Sequence, residues 1–101
     1  MLYKTIIADD ENRILANLKK SINWNRIGFE IVGTADNGEK AFELISVLKP
    51  HVVVTDLVMP KLDGLGLARK TLNLYPETFF IILSAFDEFR YAQQAVRIGV
   101  S

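Results

Sequence analysis

Val52-Val53-Val54-Thr55-Asp56 is the stretch that decides how this chain folds. Four β-branched residues in a row, closed by a carboxylate, do not alternate apolar with polar. A run of that kind reads as a strand buried on both faces. Such strands belong to parallel sheets covered by helices, and the carboxyl ends of the strands are where those sheets carry their chemistry. Three other runs share the character: Tyr3–Ala8, Phe29–Thr34 and Phe79–Leu83. The first is followed by Asp9-Asp10-Glu11 and the last by Ser84-Ala85.

Helical periods fill the intervals. Ile14, Leu15, Leu18 and Ile22 mark one face of a first helix. Ala41, Leu44, Ile45 and Leu48 mark a second, behind a cap at Asp36-Asn37-Gly38 and stopped by Lys49-Pro50. A third runs from about Leu65 to Tyr75, with Leu65, Ala68, Leu72 and Tyr75 on one side and Asp63 as its cap. A fourth starts near Asp87 and carries Phe89, Ala92, Gln93 and Val96 before Gly99. Strand then helix, four times over, predicts right-handed crossovers, a parallel sheet and helices on both of its faces.

Composition narrows the function. The 101 residues suffice for one domain, and half are hydrophobic, which supplies a core. Twelve basic residues balance twelve acidic ones, so there is no excess of positive charge for direct nucleic-acid binding. The absence of cysteine removes disulfide scaffolds, thiolate zinc sites and thiol catalysis. No apolar run approaches the roughly 20 residues of a membrane span, and the start meets Asp9-Asp10 where a signal peptide needs an apolar core. A cytoplasmic domain is expected.

If the first and third strands are neighbours, Asp9, Asp10 and Asp56 converge from more than forty positions apart. Carboxylates about 4 Å apart repel by roughly 4 kcal/mol at an effective dielectric of 20. Either one acid has a raised pKa or a hard cation binds. An all-oxygen site without His or Cys suits magnesium. Taken singly, each aspartate reads equally well as a helix cap, and Asp10 is placed to cap the first helix as well as bind metal. Met59-Pro60 and Asp63-Gly64 bracket a turn. Other readings are weaker. Gly64-Leu65-Gly66 lacks the third glycine of a dinucleotide loop and does not directly follow a strand. A phosphatase nucleophile at Asp56 would want a second Asp at position 58, which is valine. No Ser-His-Asp set is credible on the one histidine, His51, which follows Pro50 at a strand start and is expected at the surface. Trp24 is expected to pack under the loop before the second strand.

Three segments carry a resemblance: Ile6-Ile7-Ala8-Asp9-Asp10-Glu11, the run from Val52 through Asp56-Leu57-Val58-Met59-Pro60-Lys61-Leu62-Asp63-Gly64, and Ile81-Ile82-Leu83-Ser84-Ala85. Together they resemble the receiver domain of two-component response regulators, in order and over essentially the whole chain. Residues 24–33 and 85–92 resemble the subgroup joined to an AraC-type helix-turn-helix output domain. The resemblance implies a doubly wound, flavodoxin-like α/β fold with strand order 2-1-3-4. It implies that Asp56 accepts a phosphoryl group from a sensor histidine kinase. Asp9, Asp10 and Asp56, with the Val58 backbone carbonyl, would hold Mg2+, and Ser84 would be the switch hydroxyl. It also implies slow self-dephosphorylation, so the domain is a substrate and switch rather than an enzyme acting on others.

In the family, the stretch matching residues 97–101 leads into a fifth strand and helix, with an aromatic switch residue and a Lys-Pro pair. Residues 1–101 therefore read as a receiver domain truncated before those elements. Phe79–Leu83 would then be an exposed apolar edge through which chains self-associate. Two function classes follow: a phosphorylatable switch of an output domain for transcription regulation, or a phosphorylation-incompetent pseudo-receiver acting through protein–protein contacts.

Overall fold

The computed structural model describes residues 2–83. In chain order these form β1 (Tyr3–Ala8), α1 (Asn12–Ser21), a short 3-10 turn (Asn25–Ile27), β2 (Phe29–Ala35), α2 (Gly38–Leu48), β3 (Val52–Asp56), α3 (Gly64–Leu74) and β4 (Phe79–Leu83). The strands make one parallel sheet in the order β2-β1-β3-β4. This is the order that the family resemblance implied, and the strands and helices fall within a residue or two of those read from the sequence; the 3-10 turn was not foreseen, and the helix expected near Asp87 lies outside the described residues.

Register brings the site together. Thr5 lies opposite Val52 and Ala8 opposite Thr55, so β1 and β3 finish level. Asp56 in turn lies opposite Leu83 of β4. Side chains alternate through the sheet and split the core in two. Ile6, Ala8, Val53 and Phe80 pack with Ala41 and Ile45 of α2 and Leu65, Leu67 and Ala68 of α3. Ile7, Val52 and Val54 face the other way, against Leu15 and Leu18 of α1. The doubly covered sheet explains why β3 has no polar alternation.

The helix ends follow local chemistry. Asn37 caps α2, its Oδ1 accepting the Lys40 N–H at 2.9 Å. Lys49, at φ 46°, closes the helix by donating its N–H to the Ile45 carbonyl before Pro50. Asp63 caps α3, accepting the Gly66 N–H at 2.7 Å. Here the expectation for Asp10 fails. The residue at the start of α1 is Glu11, and no side chain caps that helix. The carboxylate that shapes the turn is Asp9, which accepts the Glu11 N–H at 2.9 Å.

Other departures concern packing. In α3, Leu67 and Thr71 are fully buried, whereas Leu72 and Tyr75 only rim the core. The β1–β2 ladder shifts register between Thr5 and Ile6, leaving Val32 as an extra residue on β2. Trp24 packs as expected, against Phe29, and its indole N–H donates to the Leu18 carbonyl. His51 is at the surface, but its Nδ1 accepts the Lys4 N–H at 3.0 Å and so extends the β1–β3 ladder by a side chain.

Gly64 is fixed by packing. It donates its N–H to the Leu57 carbonyl at 2.7 Å, and a Cβ on it would overlap the Asp56 carbonyl oxygen and press on the Leu57 Cα. Gly64→Ala is therefore expected to lower unfolding stability by about 1–3 kcal/mol, as overpacking does. Urea denaturation checks this; unchanged or greater stability would contradict the contact.

Candidate functional site

The candidate site is built at the carboxyl ends of β1 and β3. Asp9 leaves β1 with its N–H donated to the Ala35 carbonyl at the end of β2, which ties it to the sheet. Its side chain is only 3% exposed. The bond to the Glu11 N–H then turns the chain into α1 and leaves Asp10 exposed at the rim. Asp56 is the last residue of β3 and is half-buried. Its Oδ1 accepts the N–H of Leu57 at 2.8 Å, which fixes the carboxylate against its own backbone. Its carbonyl accepts the Thr55 hydroxyl at 2.9 Å.

Carboxylate oxygens of Asp9, Asp10 and Asp56 lie within 4.8 Å of one another. This is the constellation expected from the strand ends. Val58 stands two residues beyond Asp56 in the loop that leads to α3, and it is exposed. Ser84 lies outside the described residues, directly after Leu83, the partner of Asp56 in the sheet.

Three acids this close strain one another. At 4.8 Å two unit charges repel by about 3 kcal/mol at an effective dielectric of 20, and less where water reaches Asp10. Burial pushes the Asp9 carboxyl above its ordinary 3.8. The Glu11 N–H works against that shift, while the charges of Asp10 and Glu11 add to it. The two remedies foreseen for this crowding are compatible. Asp9 holds its proton more tightly when the acids face each other alone, and a hard cation would displace that proton. The donor set fits such an ion, being all oxygen, partly buried and open to water through Asp10.

The loop that follows Asp56 is braced from both sides. Leu57 and Met59 point into the core. The Leu62 N–H donates to the Pro60 carbonyl at 2.8 Å, with Lys61 between them at φ 70°. A lysine in that left-handed conformation is strained. Gly38, at the start of α2, lies against the Leu62 carbonyl so closely that a Cβ there would overlap it. Sequence reasoning took Asp63-Gly64 as turn chemistry and missed these two glycine contacts. The available signal was a glycine at the first position of a helix, where no turn requires one.

Comparison with known proteins agrees with this geometry. The model of the response regulator receiver domain family matches residues 5–101. The chain is 43% identical over 99 residues to YesN of Bacillus subtilis, described as an uncharacterized transcriptional regulatory protein, covering 98% of this chain and 27% of that one. It is 34% identical over 96 residues to the transcriptional regulatory protein HptR of Staphylococcus aureus, covering 95% and 37% respectively. The chain thus spans well under half the length of these curated relatives. The receiver domain of AraT, a response regulator from Geobacillus stearothermophilus, superposes with a TM-score of 0.93 at 40% identity, over all of this chain and 78% of that one. A two-component transcriptional regulator AraC from Clostridium phytofermentans gives 0.82 at 32% identity, over 88% and 72%. Among the described residues, no helix is long and apolar enough to cross a membrane.

The raised Asp9 pKa sets a pH dependence. A folded-state pKa above the unfolded one gives stability that is fully present below the unfolded value and is lost as pH rises through the folded value. Ionised Asp9 therefore weakens the metal-free protein at neutral pH. Asp9→Asn keeps an acceptor for the Glu11 N–H and removes the charge. In EDTA it is expected to melt at a higher temperature than the parent at pH 7, with the gain shrinking as pH falls toward 3.8. A gain independent of pH, or a loss at pH 7, would contradict the assignment.

Proposed function

This chain belongs to the response regulator receiver domains, and we propose that it is a phosphoacceptor switch in which Asp56 takes a phosphoryl group from a sensor histidine kinase. The observation that carries the reading is the convergence of Asp9, Asp10 and Asp56 at the ends of two adjoining strands. One carboxylate oxygen of Asp56 attacks phosphorus, and a new P–O bond forms as the P–N bond of the donor phosphohistidine breaks. The electron pair leaves with the imidazole, which is protonated from solvent. The Leu57 N–H steadies the attacking carboxylate, so less orientation has to be found during the reaction.

Asp9, Asp10, Asp56 and the Val58 carbonyl are the ligands we assign to Mg2+. When bound, it would offset the carboxylate charges and those of the incoming phosphoryl oxygens. Ser84 is proposed as the switch hydroxyl that meets the phosphate. The similar proteins are transcriptional regulators longer than this chain, which supports an output domain that binds DNA. In that arrangement the receiver is a cytoplasmic partner of the kinase and makes no nucleic-acid contacts of its own.

Incubation with Mg2+ and acetyl phosphate, followed by intact mass measurement, tests the proposal. One phosphoryl group is expected on the parent, and none in EDTA or on Asp56→Asn. A gain that persists in Asp56→Asn would show that another residue is the acceptor. No gain in this chain or in one extended through the family's further strand and helix would overturn the switch in favour of a pseudo-receiver acting by protein contacts.

A further inference from the structure

Asn37-Gly38 is the one Asn-Gly pair in the chain; the other asparagines precede Arg, Leu or Trp. Asn-Gly is the pairing most prone to ring closure, because glycine leaves its backbone nitrogen unhindered. That nitrogen attacks the asparagine side-chain Cγ, and the side-chain nitrogen departs as ammonia. Water then opens the succinimide at either carbonyl, giving aspartate or isoaspartate.

We propose that Asn37 is a site of spontaneous deamidation whose rate is gated by opening of the α2 cap. Both residues of the pair are held in place by the fold. Gly38 has to be glycine, since a Cβ would overlap the Leu62 carbonyl. Asn37 satisfies both ends of its amide, with Oδ1 accepting the Lys40 N–H at 2.9 Å and Nδ2 donating to Asp36 Oδ1 at 3.0 Å. An aspartate could not make the second bond in its ionised form and would set a charge beside Asp36.

The same geometry blocks the reaction while the cap is closed. Ring closure requires the Asn37–Gly38 peptide to rotate until the Gly38 nitrogen eclipses the Asn37 Cβ. The backbone at Asn37 is extended instead, at φ −157° and ψ 166°. Rotating it breaks the bond from the Ala41 N–H to the Asn37 carbonyl, as well as the side-chain cap. It also pulls Gly38 away from Leu62. The reaction therefore proceeds only from the locally opened state. The isoaspartate product carries an extra backbone carbon at the junction of β2 and α2. It cannot restore both the cap and the Gly38–Leu62 contact, so it loosens the loop that follows Asp56.

Peptide mapping of this chain, aged in mildly alkaline buffer with and without urea, tests the gating. Conversion at Asn37 should outpace that at every other asparagine in urea. In the folded protein it should be slower by about tenfold or more, as expected when several hydrogen bonds must break first. Asp36→Ala, which removes the Nδ2 partner, should speed the folded-state reaction and leave the rate in urea unchanged. Ageing should also lower the melting temperature of the parent more than that of Asn37→Ser, which keeps a capping oxygen and cannot form the ring. Equal rates with and without urea, or no conversion at Asn37 in urea, would overturn the proposal.

Discussion

The parallel pairing of β1 with β3 is the constraint on which the rest of this structure depends. Because Ala8 and Thr55 are partners, the two strands end level, and the next residue on one side is Asp9 while the last on the other is Asp56. The hydrophobic strands thus impose an electrostatic problem. Ile6, Ile7, Val53 and Val54 are driven inward by burial of their side chains, and the carboxylates must follow. The crowding shows in Asp9, whose burial favours the protonated acid. A site of this kind is poised, because a divalent cation or a change of proton count relieves the same repulsion.

The surroundings hold that geometry through backbone contacts more than through side-chain networks. Gly64 touches the backbone of Asp56 and Leu57, and Gly38 touches the backbone of Leu62. The loop from β3 to α3 is therefore clamped at both ends by positions where no side chain fits. Between the clamps, Lys61 is held at φ 70°, and Thr55 reaches both the Asp56 carbonyl and the Met59 sulfur. Dense contact with the backbone turns a displacement at the carboxylates into a displacement of the loop.

Much of this was legible in the residues. Unbroken β-branched runs gave the parallel sheet, acids at strand ends gave the site, and Asp36-Asn37-Gly38 and Asp63 marked the helix caps, the first of which falls to Asn37. What escaped was decided by distance across the fold. Asp10 has the chemistry of a cap, but the register of β1 buries Asp9 and gives it the Glu11 N–H instead. Leu67 falls off the apolar stripe read for α3, yet α3 packs against both the sheet and α2 and buries it as well. Lys4 finds an acceptor in the ring of His51 because the chain at Lys49 and Pro50 is turning out of α2. None of these follows from a local pattern, since each depends on where a distant segment lies.

If the three aspartates form one site whose charge a hard divalent cation relieves, that ion must stabilise the folded chain. The most direct measurement is the melting temperature of the unaltered chain against Mg2+ concentration, at constant ionic strength held by a monovalent salt. Binding to the folded state alone adds about 2.7 kcal/mol when the ion is at 100 times its dissociation constant. The melting temperature should therefore climb steadily with the logarithm of Mg2+ once binding begins. A flat response, or one reproduced by the monovalent salt alone, would show that the three aspartates do not bind the ion as one site.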